Sequence, residues 1–162
     1  KLGLQLEADT AEPIRCLAPL LRDVSPSRLF DEILKLLQAG HGQATFPELV
    51  KYDLLRPLFP QTEALLGEAH ELHHQHLIDL ALLNTDKRLN EGKSVTPAFL
   101  YAALHWPKVQ HRWEELQAEG HGRAPALAIA CSESLDFKRN RKPCIPTSWI
   151  SNHVFLLIFL VS

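Results

Sequence analysis

Apolar residues recur at spacings of three and four along most of the chain, and the regular alternation typical of strands is absent from the sequence. The pattern is clearest in SPSRLFDEILKLLQAGHG, residues 25–42. Ser25 suits the N-cap of a helix there, Pro26 suits its first position, and Gly40 suits its C-terminal end. The whole pattern predicts an all-α fold, built as an irregular array of about six or seven helices.

Proline, glycine and capping residues predict the ends of the other helices. The expected elements are a short helix that Thr10 caps and that ends near Ala18, a helix over 45–59 broken near Pro57, a long helix over 63–88, a helix that begins at Thr96 and ends at Pro107, a helix from there to Gly120, and a helix over 124–135. The last of these, APALAIACSESL, is small and apolar on most sides. It is therefore expected to be the most buried helix.

The character of the chain changes after residue 135. DFKRNRKPCIP is typical of a basic linker, and TSWISNHVFLLIFLVS is apolar with no helical period and no capping residues. Its longest apolar run, 154–161, is far shorter than the roughly 20 residues that a membrane span needs. We therefore expect no membrane partner, and an exposed tail of this kind would favour aggregation.

Composition narrows the class of protein. The 162 residues suit one domain, and 46% hydrophobic with 22% charged residues permits a packed core. The net charge of -2 excludes a chain that is basic throughout, so any surface for nucleic acid must be local. Cys16, Cys131 and Cys144 are far apart and form no CxxC motif, which is typical of reduced thiols and predicts a cytoplasmic protein.

A histidine-rich stretch, HELHHQH, raises the question of a metal site. His70 and His74 satisfy the H-E-x-x-H pattern of zinc hydrolases. Their neighbours are acidic and polar, and no third ligand follows at a set spacing. We therefore favour a solvated helix face and predict no metal ligand here, with a zinc hydrolase as an alternative.

Other catalytic patterns are missing from the sequence. It contains no GxSxG, no GxGxxG, no GxxxxGK[ST] and no D-x-D. Cys131 lies in the most apolar predicted helix, where a thiol is usually inert. The sequence therefore predicts no catalytic residue in this chain.

Two clusters of cations stand out against the near-neutral total. TDKRLNEGK contains Lys87, Arg88 and Lys93 around a predicted helix end and loop. KRNRK, residues 138–142, places four cations in five positions. Such groups bind phosphate backbones without reading sequence, although a solvated surface is the alternative interpretation of either cluster.

Polar residues also follow a regular stripe on the helix of residues 25–42. Arg28 with Glu32, and Asp31 with Lys35, are four positions apart and predict ion pairs on its exposed face. Stabilisation of the helix by these pairs is a sufficient explanation of the stripe. Residue chemistry by itself therefore indicates only an all-α domain with two basic patches.

The order of these segments resembles the bacterial poly(A) polymerase branch of the class II nucleotidyltransferases, which includes the CCA-adding enzymes. SPSRLFDEILKLLQAGHG, LLRPLFP and NTDKRLNEGKSVTPAFLYAALHWP follow one another at similar spacing. Arg28 and Glu32 match the neck motif of that family, and LFDE, with Phe30, is closer to the poly(A) type. The resemblance extends over 1–135, and the residues from 147 onward depart from it.

The resemblance implies neck-like helices over 1–40, a helical body over 41–136, and a basic linker with an atypical apolar tail over 137–162. In that family a separate head domain holds a Gly-Ser motif and a D-x-D pair, which bind Mg²⁺ and ATP. The missing D-x-D pair, together with a start at Lys1 and no methionine, leads us to expect a fragment without that head. We therefore expect no cofactor in this chain itself.

The resemblance also implies roles for the polar clusters. Arg28, Glu32 and Lys35 would support the head interface or the nucleotide pocket. The residues expected to bind RNA are Lys87, Arg88, Lys93, Lys138, Arg139, Arg141 and Lys142. The expected function is RNA binding and scaffolding for an enzyme that adds AMP from ATP to RNA 3′ ends, with RNA and the head domain as partners. A free-standing helical RNA-binding or interaction module without enzyme activity is the alternative.

Overall fold

The computed structural model describes residues 6–59 and 71–135 of the chain. These two ranges contain seven α-helices and one 3₁₀ helix, and no strand occurs within them. In chain order the elements are α1 (Ala8–Leu17), the 3₁₀ helix (Ala18–Asp23), α2 (Pro26–Leu37), α3 (Gly42–Lys51), α4 (Leu55–Leu58), α5 (Glu71–Asn90), α6 (Pro97–Ala118) and α7 (Arg123–Leu135). The all-α prediction is confirmed.

Helix starts follow the expected residues in two of three cases. Ser25 and Thr96 are the N-cap residues of α2 and α6, and each is followed by a proline in the first turn. Thr10 is not a cap, because α1 begins two residues before it, after Glu7. The backbone N–H of Thr10 donates to the Glu7 carbonyl at 3.0 Å, which places Thr10 within the first turn.

Pro107 does not mark the helix end that the sequence analysis predicted for it. Pro107 was expected to end a helix, but it lies buried inside α6, which continues to Ala118. A proline inside a helix costs about 3 kcal/mol, because it removes one N–H donor and crowds the preceding turn. Leu104 and Val109 on either side are almost fully buried, and such burial stabilises by about 1.5–3 kcal/mol per side chain. Burial therefore outweighs the local penalty.

The predicted helix over 45–59 is divided into two. The helix α3 begins earlier, at Gly42, and ends at Lys51, and α4 follows after a turn. Asp53 in that turn has a φ of 56°, a left-handed conformation that ends a helix. Gly40 has a φ of 76° and terminates the α2 segment as expected, but Gly42 of the same GHG motif begins a helix.

One apolar core joins α2 to α6. Phe30 of α2 stacks on Tyr101 of α6 with ring centroids 4.9 Å apart, and Phe59 lies against the same ring at 5.9 Å. The buried members of this core are Leu29, Phe30, Ile33, Leu37, Phe46, Leu49, Leu55, Leu58, Phe59, Ile78, Leu82, Leu100, Tyr101 and Leu104. The proposed boundary at residue 40 remains a prediction, and α2 and α3 on its two sides share this core.

A second, smaller core lies between α6 and α7. Ala126, Ala130 and Cys131 of α7 are completely buried there, whereas Ala124 and Ala128 are exposed. The prediction that α7 is the most buried helix is therefore wrong, since α6 buries more of its residues. Small side chains allow close packing on one side of α7 but do not require burial of the other.

A carboxylate fixes the start of α3 against α5. Asp86 of α5 is buried, and its two oxygens accept hydrogen bonds from the backbone N–H groups of Gly42 at 2.7 Å and Gln43 at 2.9 Å. The Asn90 side-chain amide donates to the Gly40 carbonyl at 3.2 Å, one turn further along α5. These contacts satisfy two of the four unpaired amides of the α3 N-terminus and place a negative charge at the positive end of the helix.

Glycine is required at the first position of α3. A Cβ atom on Gly42 would lie 2.7 Å from the Leu37 carbonyl oxygen and 3.2 Å from the Leu82 side chain. Because the nearest atom belongs to the backbone, it cannot move aside cheaply. Gly42 thus permits the close approach of α2, α3 and α5.

We predict that Asp86→Ala lowers the free energy of unfolding by about 2–4 kcal/mol, because it leaves the buried amide of Gly42 and the partly buried amide of Gln43 without their charged acceptor. Asp79→Ala is the matched control on the same helix. Asp79 is partly exposed and makes no hydrogen bond among the described residues, so we expect a change within about 0.5 kcal/mol. Urea unfolding followed by circular dichroism measures both. Equal losses in the two variants would contradict the role of Asp86.

Candidate functional site

The polar stripe of α2 is exposed to solvent. Arg28, Glu32 and Lys35 lie on its outer face, while Leu29 and Ile33 on the inner face are buried. Lys35 Nζ lies 2.7 Å from a carboxylate oxygen of Glu32, and this hydrogen bond raises the pKa of Lys35. The pairing is therefore three residues apart, and the expected pairs of Arg28 with Glu32 and of Asp31 with Lys35 are wrong.

Arg28 is the cation of this stripe that can bind a partner without breaking a contact observed among the described residues. It has no hydrogen bond or ion pair within the described ranges. The side chains of Lys35 and Glu32 are 68% and 63% exposed, so water screens their attraction and the pair can exchange readily for another partner. The stripe therefore offers charged groups to a binding partner at little cost to the helix.

The first basic cluster lies around the C-terminal end of α5. Lys87 and Arg88 are in its last turn, Lys93 follows in the turn over 91–96, and all three are exposed. Arg88 Nη2 donates to the Ser94 carbonyl at 3.5 Å, and Lys93 Nζ lies 2.6 Å from a Glu91 carboxylate oxygen. The side chain of Lys87 has no partner in the part of the chain that the structure describes.

The structure brings this cluster next to the stripe. Gln38, which follows α2, donates from its side-chain amide to the Val95 carbonyl at 3.0 Å. Lys35 lies one helical turn before Gln38, and Lys93 lies two residues before Val95. Residue spacing cannot predict this contact, because 57 residues separate its partners in the chain. The second cluster, Lys138, Arg139, Arg141 and Lys142, lies outside the described residues.

The histidines of α5 do not share one face. His73 and His76 are exposed, whereas His74 is buried, and His70 lies outside the described residues. The expectation of a uniformly solvated histidine face is therefore wrong at His74. No group of three or more histidine, cysteine or acidic residues is placed to hold a metal ion within 6–59 and 71–135.

Comparisons with known proteins identify the region. Residues 3–66 match a family model described as "Probable RNA and SrmB- binding site of polymerase A". Over 137 residues, 84% of this chain, the identity is 42% to poly(A) polymerase I of Escherichia coli O157:H7, 41% to that of Salmonella typhimurium and 42% to that of Haemophilus influenzae. The chain belongs to the bacterial poly(A) polymerase family. It spans about 30% of the length of these relatives.

The family match includes the stripe and its surroundings. Residues 3–66 contain α1 to α4, and therefore contain Arg28, Glu32, Lys35 and Gln38. The cluster of Lys87, Arg88 and Lys93 lies beyond this match but within the 137 residues aligned with the polymerases. No helix within the described ranges is long and apolar enough to cross a membrane.

The C-terminal part of α6, at the end away from the basic cluster, is acidic together with the facing part of α7. Arg112 is its central cation, and it contacts Glu133 at 2.6 Å, Glu115 at 3.0 Å and Glu119 at 3.2 Å. These carboxylates raise the pKa of Arg112, and they outnumber its single charge. This corner is therefore unsuited to a phosphate backbone. Helical spacing in the sequence shows Glu115 and Glu119 but cannot show Glu133, which comes from α7.

One partly buried histidine has no role in the charged surface. His105 of α6 lies between Phe59 and Tyr101, with ring centroids 5.9 Å and 6.4 Å away. Its Nδ1 atom is enclosed and has no hydrogen-bond partner among the described residues. Burial, with a smaller effect from the charge of Lys108, lowers the pKa of His105 to about 4. The ring is therefore neutral in the folded protein near pH 7.

We predict that the free energy of unfolding declines as the pH falls from about 6.5 to about 4. In this range His105 binds a proton in the unfolded chain but stays unprotonated in the folded one. The loss is of the order of 2–3 kcal/mol and is absent above the unfolded pKa. His105→Leu removes this contribution, whereas His121→Gln, at an exposed turn, keeps the wild-type dependence. Urea unfolding at pH 7 and pH 4 measures the difference, and parallel curves for wild type and His105→Leu would contradict the prediction.

Proposed function

We propose that this chain is the RNA-binding part of a polynucleotide adenylyltransferase, which adds AMP from ATP to RNA 3′ ends in RNA processing. The match of residues 3–66 to the RNA-binding family model carries this proposal. The exposed cations that adjoin the matched helices support it, since phosphate contacts supply most of the affinity for single-stranded RNA. The cytoplasm, where bacterial RNA and ATP occur together, is the proposed place of action.

Lys87, Arg88 and Lys93 are proposed to contact the phosphates. Each is exposed, and the present partners of Arg88 and Lys93 are a carbonyl and an exposed carboxylate. A phosphate oxygen can replace either partner without unfolding the turn, because such surface contacts are weak. The proposed set continues with Lys138, Arg139, Arg141 and Lys142 in the basic linker.

The reaction proposed for the parent enzyme needs groups that we do not assign to this chain. The RNA 3′-hydroxyl attacks the α-phosphorus of ATP, a new P–O bond forms, and pyrophosphate leaves. We assign the binding of Mg²⁺ and ATP to a nucleotide-binding head in another part of the parent protein. Arg28, Glu32 and Lys35 are proposed to face that head, because they form an exposed charged stripe within the matched region.

We predict that this chain binds a fluorescent oligo(A) of about 20 nucleotides, with affinity that falls steeply as salt rises. Arg88→Ala should weaken binding about three- to tenfold and reduce the slope of log K against log[salt] by about 0.7, one phosphate contact. Arg123→Ala, an exposed arginine on α7, is the matched control and should change neither value. Fluorescence anisotropy between about 50 and 200 mM salt measures both quantities. Salt-independent binding, or equal effects of the two variants, would contradict the RNA surface.

A second prediction concerns Arg28 and the proposed head. Arg28→Ala should change the unfolding free energy of this chain by less than about 0.5 kcal/mol, since Arg28 is exposed and has no partner among the described residues. In the parent enzyme the same change should lower AMP incorporation about tenfold or more, because it removes a charged contact at the interface.

Labelled ATP tests this assignment directly. The 162 residues alone should incorporate no AMP into RNA, and Arg28→Ala should leave their RNA binding unchanged. Incorporation by this chain would show that the assignment of catalysis to a separate head is wrong. RNA binding that falls steeply with salt but does not depend on any head domain would favour a free-standing RNA-binding module.

A further inference from the structure

A side-chain amide connects the end of α2 to the turn that carries Lys93. Gln38 donates from its partly buried Nε2 atom to the Val95 carbonyl at 3.0 Å. The Asn90–Gly40 hydrogen bond, at 3.2 Å, lies beside it and holds the end of α5 to the same α2–α3 connection. The Gln38 side chain thus attaches the turn over 91–96 to the end of α2, and the Asn90 side chain attaches the end of α5 to the connection that follows α2.

We propose that Gln38 is a positioning residue, which joins Lys35 and the basic segment 87–93 into one surface for a single RNA strand. This inference rests on the RNA binding proposed above. It extends the RNA surface from α5 onto the last turn of α2. In this proposal Lys35 contacts the RNA and also belongs to the charged stripe of α2.

The spacing of the two lysines suits one strand. Lys35 is one helical turn, about 5 Å, from Gln38 along α2, and Lys93 is two residues, at most about 7 Å, from Val95. With the hydrogen bond between them, the Cα atoms of the two lysines lie within roughly 20 Å, the span of a few nucleotides. Apart from that bond, no side-chain hydrogen bond joins the turn over 91–96 to α2 or to Gln38 among the described residues.

The charges on this surface are exchangeable. Lys35 is paired with Glu32 and Lys93 with Glu91, and all four side chains are more than 40% exposed. A phosphate group can therefore displace either carboxylate. Arg112, in contrast, is paired with three glutamates toward the C-terminal end of α6. An RNA strand that continued there would form no additional favourable contact with this cation.

A short oligonucleotide distinguishes one surface from two. Hexa(A) is long enough for the Lys35–Lys93 span but too short to follow two separate surfaces. On one surface, Lys35→Ala and Lys93→Ala should each weaken hexa(A) binding about threefold or more. On two separate surfaces, the hexamer would use the better one and respond to only one of the substitutions, which would overturn the proposal.

Gln38→Ala tests the positioning role itself. It should weaken hexa(A) binding about threefold, and Lys35→Ala should have little further effect in its background, because the two contacts no longer act together. Gln110→Ala is the matched control. Gln110 of α6 accepts a partly buried hydrogen bond from the Trp106 indole and donates an exposed one to Glu114, but neither bond involves α2 or the turn over 91–96. Its loss should leave hexa(A) binding unchanged at a comparable cost in stability.

The outcomes separate this inference from the proposed function. If the wild-type chain binds no RNA, both are wrong. If Arg88→Ala weakens binding while Gln38→Ala behaves like Gln110→Ala, the RNA surface remains and the role of Gln38 is wrong. If Gln38→Ala lowers the unfolding free energy but its effect on hexa(A) binding simply adds to that of Lys35→Ala, Gln38 is merely structural and the proposal is overturned.

Discussion

The carboxylate of Asp86 holds three helices in one arrangement. It accepts two amide hydrogen bonds at the N-terminus of α3, and Gly42 at that point lies too close to the Leu37 carbonyl for any Cβ. Because α2 leads directly into this connection, its exposed stripe has one orientation relative to α5. The end of α5, with its cations, is held by the same contact. The position of every proposed binding residue in the described ranges therefore depends on a buried polar interaction, supported by the apolar core around it.

Charge is distributed unequally over the body although the net charge is small. Cations with weak, exchangeable partners lie near the α2–α5 contact, whereas the glutamates that surround Arg112 lie at the far end of α6. Such separation attracts an anionic strand to one side and repels it from the other, without a high total charge. This polarity is compatible with the family model that residues 3–66 match, whose description names an RNA-binding site.

Much of the fold follows from local signals in the sequence. Helical periodicity, and the Ser-Pro and Thr-Pro starts at Ser25 and Thr96, correctly predicted the class and two helix beginnings. Two of the errors share one cause. Pro107 and His74 were each interpreted from local preference, and each lies where tertiary burial outweighs that preference. Local preferences predict the free-energy penalty of a residue at a given position, but they do not predict the tertiary contacts that offset this penalty.

The candidate site shows the same division. The sequence by itself determined which residues carry charge, which helices they occupy and, through the order of its motifs, the family to which the chain belongs. Only the tertiary structure decided that Glu133 reaches Arg112 and that Gln38 donates to Val95. Contacts between residues far apart in the chain depend on how helices pack, and the spacing of residues within one helix contains no information about that packing.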